Sequence, residues 1–125
     1  GFIDAYIIQC YQKVPMLLPQ NIVLSAMDTQ TSVDHIEWHD LKLPVYAVND
    51  PNEKQGVALV IEGDDVSERF ALVCDEMPES IRVRISEIVD EERDVDDNKV
   101  FKYVKMGEKQ FFVPHLQNIQ TQLGL

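Results

Sequence analysis

Glycine is scarce in this sequence, at five of 125 residues. None stands in a GxGxxG or P-loop arrangement, so the chain encodes no backbone cradle for phosphate. Cysteine is limited to Cys10 and Cys74, too few for a disulfide framework or a CxxC metal site. Each lies in an apolar, strand-like run. Both read as buried thiols of a reducing cytoplasm, with a Cys10–Cys74 bridge as the alternative. Long hydrophobic runs are missing. Val57–Ile61 is as long as any, far short of the ~18 residues of a membrane span. The opening Gly1–Lys13 has neither a basic region nor a small-residue cleavage site, so no secretory leader is expected. Basic charge is short as well: Lys and Arg number 11 against 22 Asp and Glu, a net charge of −11. Nucleic acid and anionic membrane surfaces would be repelled. A basic protein partner would not.

What remains is an ordinary globular composition, 45% hydrophobic and 26% charged. The length suits one domain, and a chain of this size buries enough surface to fold without disulfides or metal.

Short strands dominate the pattern. Ala5–Tyr11 is rich in β-branched and aromatic residues. Pro15 and Pro19 bracket Met16–Leu18 as a short strand or edge. Ile22, Val23 and Ala26 share a helical face, which predicts a two-turn helix over Gln20–Met27 opened by Pro19. Asp28–Ser32 reads as a polar turn. Leu41, Leu43, Val45 and Ala47 alternate with Lys42, Pro44 and Tyr46, the period of a half-buried strand. Pro44 suggests an edge or bulge there. Asn49–Gly56 is a loop, and Val57–Ile61 and Arg69–Cys74 form an antiparallel pair across Gly63–Asp65. Ile81, Val83 and Ile85 alternate with Ser80, Arg82 and Arg84. Glu87–Asp97 holds seven acids and reads as a solvated loop. Val100–Lys105 and Gln110–Val113 make a hairpin, and a helix closes the chain over 114–123. The result is an all-β protein with short helices. Parallel α/β is excluded, because no helix of 10–15 residues lies between strands.

Chemistry is weakly encoded. His35 and His39 are four apart, with Asp40 adjacent and His115 distant. A small metal-dependent enzyme would use these four. Yet the spacing has ligand geometry only on a helix, and there is no HExxH. No serine sits in a GxSxG elbow, and Asp75 and Glu76 beside Cys74 disfavour a thiolate. No catalytic residue, metal or cofactor is expected. A binding surface has more support: Arg82 and Arg84 form a basic stripe in an acidic chain, facing acids of a partner or of the 87–97 loop. Trp38 reads as a core aromatic.

The order of segments resembles the CheW-like adaptors of bacterial chemotaxis and type IV pilus signalling. The residues concerned are Leu17-Leu18-Pro19-Gln20-Asn21-Ile22-Val23, Leu43-Pro44-Val45-Tyr46-Ala47-Val48, Val57–Ile61, Ala71–Met77 and Val104–Leu116. The resemblance implies two linked SH3-like five-stranded β-barrel subdomains, approximately 12–50 and 57–114, in a single CheW-like domain over 1–125. It implies a cytoplasmic, non-enzymatic scaffold that binds a chemosensory histidine kinase and a chemoreceptor tip. Val23, Leu24, Met27 and His39 would lie near the groove between the barrels, with Arg82 and Arg84 on a partner face. Where the family has Arg-Gly before its Pro-Val strand, this chain has His39-Asp40. Where it often has Glu, this chain has Ser25. These departures fit a divergent adaptor of a pilus-type system serving twitching motility. A generic β-barrel binding module outside chemosensory systems is the remaining alternative.

Overall fold

The computed structural model describes residues 1–125. Its elements are β1 (Phe2–Ile8), β2 (Met16–Pro19), β3 (Val23–Gln30), β4 (His35–Trp38), β5 (Leu41–Ala47), β6 (Gln55–Ile61) and β7 (Phe70–Cys74), followed by β8 (Glu79–Arg84), β9 (Val89–Glu91), β10 (Val100–Met106), β11 (Lys109–Pro114) and α1 (Leu116–Gln122). Two curled sheets result. One has six strands in the order β8-β1-β2-β11-β10-β9, the other five in the order β3-β6-β7-β5-β4. Pairing is antiparallel except for β2 with β11 and β5 with β7.

Strand alternation sorts apolar side chains into three clusters. Leu59, Ile61, Phe70, Leu72 and Cys74 of the five-stranded sheet meet Ile8, Met16, Leu18, Tyr103 and Phe112 of the other, with Ile119 of α1 completing this shared core. The opposite face of β6 and β7 presents Ala58, Val60, Ala71 and Val73 to Ile36 and Leu43, filling the second half-barrel. Ala5, Ile7, Leu17, Val104 and Phe111 fill the first. Every side chain of β7 is therefore buried, as expected of a strand covered on both faces.

Several sequence expectations are corrected. The segment Gln20–Met27 is not a helix: one 3-10 turn over Gln20–Ile22 leads into β3, which pairs with β6 along its length. A helix of two turns needs packing to hold it, and the strand is masked because polar Ser25 and Thr29 fill half-buried positions of its alternating pattern while apolar Leu24 and Ala26 fill exposed ones. Asp28–Gln30, expected as a turn, completes that strand. The chain does not divide into 12–50 and 57–114. β1 and β2 pair with β8 and β11, so one half-barrel is built from both ends of the chain and the other from its middle. The acidic run conceals β9, whose Asp90 is held by Lys102 at 2.9 Å and whose Glu91 accepts from Gln110 at 2.8 Å.

Pro44 lies inside the five-stranded sheet, not at an edge. The N–H of the next residue, Val45, donates to Asp34 on the β4 side at 3.1 Å. The N–H that Pro44 lacks would point towards β7, just before pairing with β7 begins at Val45. No ladder bond is lost.

Candidate protein-docking surfaces

The expected docking residues fall on three separate elements. Val23 stands opposite Ile61 and packs on the shared core. Beyond the bulge, Met27 stands opposite Ala58 and packs on the interior of the second half-barrel. Leu24 lies at the bulge and is 37% exposed. β3 thus offers Leu24 and the small Ala26 as exposed aliphatic side chains on a free sheet edge, with Val23 and Met27 on its other face.

His39 occupies the tip of the β4–β5 hairpin. Trp38 pairs with Leu41, leaving His39 and Asp40 as a two-residue turn. Both have positive φ, 49° and 61°, as in a type I′ turn. Each non-glycine residue there costs roughly 1 kcal/mol, least for residues such as His and Asp. The His39 ring stacks on Trp38 with centroids 4.0 Å apart and planes 13° from parallel. The Arg69 guanidinium lies 5.6 Å from the Trp38 centroid. Arg69 donates to both oxygens of Glu62, at 2.8 and 3.3 Å. That fork holds the Glu62 carboxyl below its usual range and raises the Arg69 pKa. Trp38, expected in the core, is half-buried and packs against the second half-barrel's interior.

Arg82 and Arg84 lie on β8, an edge of the six-stranded sheet. Their only ion pairs are long, 3.9 Å to Asp4 and 3.9 Å to Glu87.

The four residues of the metal alternative do not converge. His35 is exposed on β4 and His39 sits at the hairpin tip. His115 caps α1, its Nδ1 accepting the Asn118 N–H at 3.1 Å. No group of three His, Cys, Asp or Glu side chains is placed to share a cation. Cys10 and Cys74 are free, buried thiols in the shared core. Burial pushes Cys10 up to about 11 and Cys74 to about 12, the wrong direction for a nucleophile.

The sequence resemblance implies a groove between the barrels, but Val23, Leu24, Met27 and His39 do not line the cleft that lies between the sheets. It has a volume of about 150 Å³ and is lined by Cys10, Tyr11, Lys13, Tyr46, Val48 and Phe112 among others. Lys13, one of its lining residues, makes a 2.8 Å bond to Asp97, which raises the Lys13 pKa and holds the Asp97 carboxyl below its usual range. Burial raises the Tyr46 pKa. Lysine and tyrosine in a linker and a strand carry no sequence signal for this meeting.

Two curled half-barrels joined through one core, with free edge strands and an inter-sheet cleft, define the class: an all-β fold of two linked half-barrels. The crystal structure of the scaffolding protein TtCheW from Thermoanaerobacter tengcongensis is similar at a TM-score of 0.69 and 13% identity, covering 91% of this chain and 89% of that one. Neither a protein-family model nor a curated protein sequence matches the chain. The fold is CheW-like, as the sequence resemblance implies.

Proposed function

We propose that this chain is a non-enzymatic adaptor of a bacterial chemosensory system. It couples the regulatory domain of a histidine kinase to a receptor tip or to an accessory partner, in the cytoplasm. The observation that carries this reading is the likeness to a scaffolding protein over nine-tenths of both chains. Free sheet edges and the inter-sheet cleft support it, because rigid barrels present such surfaces without reorganising. Leu24 and His39 are the exposed members of the receptor-side set, with Val23 and Met27 shaping the strand beneath. Arg82 and Arg84 belong to a second face. His39-Asp40 in place of Arg-Gly favours a pilus-type system, since an imidazole cannot fork onto a carboxylate as a guanidinium does.

Co-purification from the native organism tests the proposal. A chemosensory histidine kinase should be recovered with the tagged chain and identified by mass spectrometry. Recovery of no chemosensory kinase or receptor, with the tagged chain folded, would overturn it.

A further inference from the structure

β8 ends the six-stranded sheet, and no strand lies beside its outer edge. Which of its backbone groups are open follows from the register. Arg84 stands opposite Phe2, Val83 opposite Ile3 and Arg82 opposite Asp4. Just beyond, the Ile85 N–H donates to the Gly1 carbonyl at 3.0 Å. Antiparallel pairs alternate between bonded and non-bonded. The odd-numbered residues of β8 are therefore the ones bonded to β1. Ser80, Arg82 and Arg84 turn their N–H and C=O groups to the free edge. Pro19, which has no N–H, stands opposite Ala5 on the other side of β1, where the same alternation requires a non-bonded pair.

The two arginines with open backbone groups also carry an unusual side-chain arrangement. Both guanidinium carbons lie 5.1 Å from the centroid of the Phe2 ring. Phe2 is 53% exposed. The arginine side chains are 71% and 64% exposed, and their own carboxylates stand 3.9 Å away. Most of their donors are unspent. Of the acidic 87–97 run, Glu87 approaches Arg84 only at 3.9 Å, while Asp90 and Asp97 are taken by Lys102 and Lys13. The opposite face of β8 is apolar, with Ile81, Val83 and, just past the strand, an exposed Ile85.

We propose that the outer edge of β8 receives an extended segment of a partner protein in which acidic and apolar residues alternate. An added strand would bond to the open groups of Arg82 and Arg84. Its carboxylates, two residues apart, would stand opposite the two guanidiniums, and its apolar residues would lie along Ile81, Val83 and Ile85. Charge selects the occupant. Arg82 and Arg84 are exposed on a chain of net charge −11, and Asp4 and Glu87 reach them only at 3.9 Å, so an acidic segment can complete their pairing, while a second copy of the whole chain is repelled. The inference deepens the adaptor reading by giving its second face a partner chemistry.

The test needs no chemosensory component, so its failure is distinguishable from failure of the kinase co-purification. A synthetic peptide of alternating Glu and Val is titrated into the ¹⁵N-labelled full chain. The same composition with its Glu residues clustered, and an alternating Lys-Val peptide, serve as controls. The amides of Ser80, Arg82 and Arg84 should shift and gain hydrogen-exchange protection with the alternating acidic peptide alone. Affinity should fall at least tenfold in Arg82→Gln/Arg84→Gln and several-fold on raising salt. Equal binding by the double variant, protection at another edge, equal binding of a control peptide, or no binding would overturn the proposal. So would a concentration-dependent dimer of the chain that is lost in the double variant.

Discussion

Trp38 and His39 stack ring on ring, 4.0 Å between centroids, at a turn whose two central residues are both left-handed. The stack holds the imidazole against the hairpin. Asp40, beside it, bears the left-handed backbone without a comparable contact. Glycine at 40 removes that steric cost, and a β-branched residue worsens it. Asp40→Gly should stabilise the protein by about 0.5–1 kcal/mol, and Asp40→Val should destabilise it by about 1–2 kcal/mol. Urea unfolding measures both. An unchanged midpoint for Asp40→Val would show that the turn is not left-handed.

Under the proposed adaptor function, the same site would govern receptor-tip binding. His39→Arg with Asp40→Gly restores a permanently charged fork and removes a like charge against an acidic surface. The double variant should bind a chemoreceptor-tip fragment more tightly than the parent, and the gain should shrink with salt. Titration at two salt concentrations decides. Equal, undetectable binding by both would mean that this chain serves a different partner.

Both thiols should resist native-state alkylation. Raising Cys10 from 9.0 to about 11 lowers its thiolate fraction near neutral pH roughly a hundredfold, and Cys74 is raised further, to about 12. Because these folded-state values exceed those of the unfolded chain, the thiols' contribution to stability is complete below pH ~8.5. It is lost as pH rises towards 11. Cys10→Ala/Cys74→Ala should flatten that alkaline loss in denaturation experiments at pH 8 and 10. Rapid labelling of both native thiols would contradict their burial.

Asp97 ties the acidic loop to Lys13 and also accepts the Lys99 N–H at 3.0 Å. Its depressed folded-state pKa gives stability that is present above the unfolded value, ~3.9, and lost as pH falls through the folded one. Asp97→Asn should cost about 0.5–1 kcal/mol at pH 7, the pair being partly exposed. It should cost less at pH 3. A pH-independent difference would rule out the ion pair as its source.

The shared core should make the two half-barrels one cooperative unit. Leu72 is 2% exposed within it, and Leu72→Ala should cost about 2–5 kcal/mol. Tryptophan fluorescence reports Trp38 in the second half-barrel, and circular dichroism reports both. The two signals should move together in one transition. Separate midpoints would show that the half-barrels fold independently.

Strands with an unbroken two-residue period were legible in the sequence. β5, with Leu41, Leu43, Val45 and Ala47 alternating, falls on its expected bounds; the β10–β11 hairpin falls within a residue of its own because Met106–Lys109 marks the turn, although Tyr103, Val104, Phe111 and Phe112 bury both of its faces. β3 was not legible: Ser25 and Thr29 stand at its half-buried positions and Leu24 and Ala26 at its exposed ones, and Ile22, Val23 and Ala26 imitate a helical stripe. The division into half-barrels was hidden for another reason. β1 and β8 lie some 70 residues apart, and nothing local specifies that pairing. The proposed docking residues were hidden likewise. His39 was found through the Arg-Gly position it replaces, whereas Phe2 between Arg82 and Arg84 exists only through the β1–β8 register. The cleft residues Lys13, Tyr46 and Phe112 meet only when the two sheets close on each other.

The most direct measurement is a calorimetric titration of the purified full chain with the regulatory domain of a chemosensory histidine kinase from the same organism. The adaptor account expects a saturable one-to-one complex. No heat and no complex with any such kinase domain of that organism, at concentrations where the chain remains folded, would contradict it.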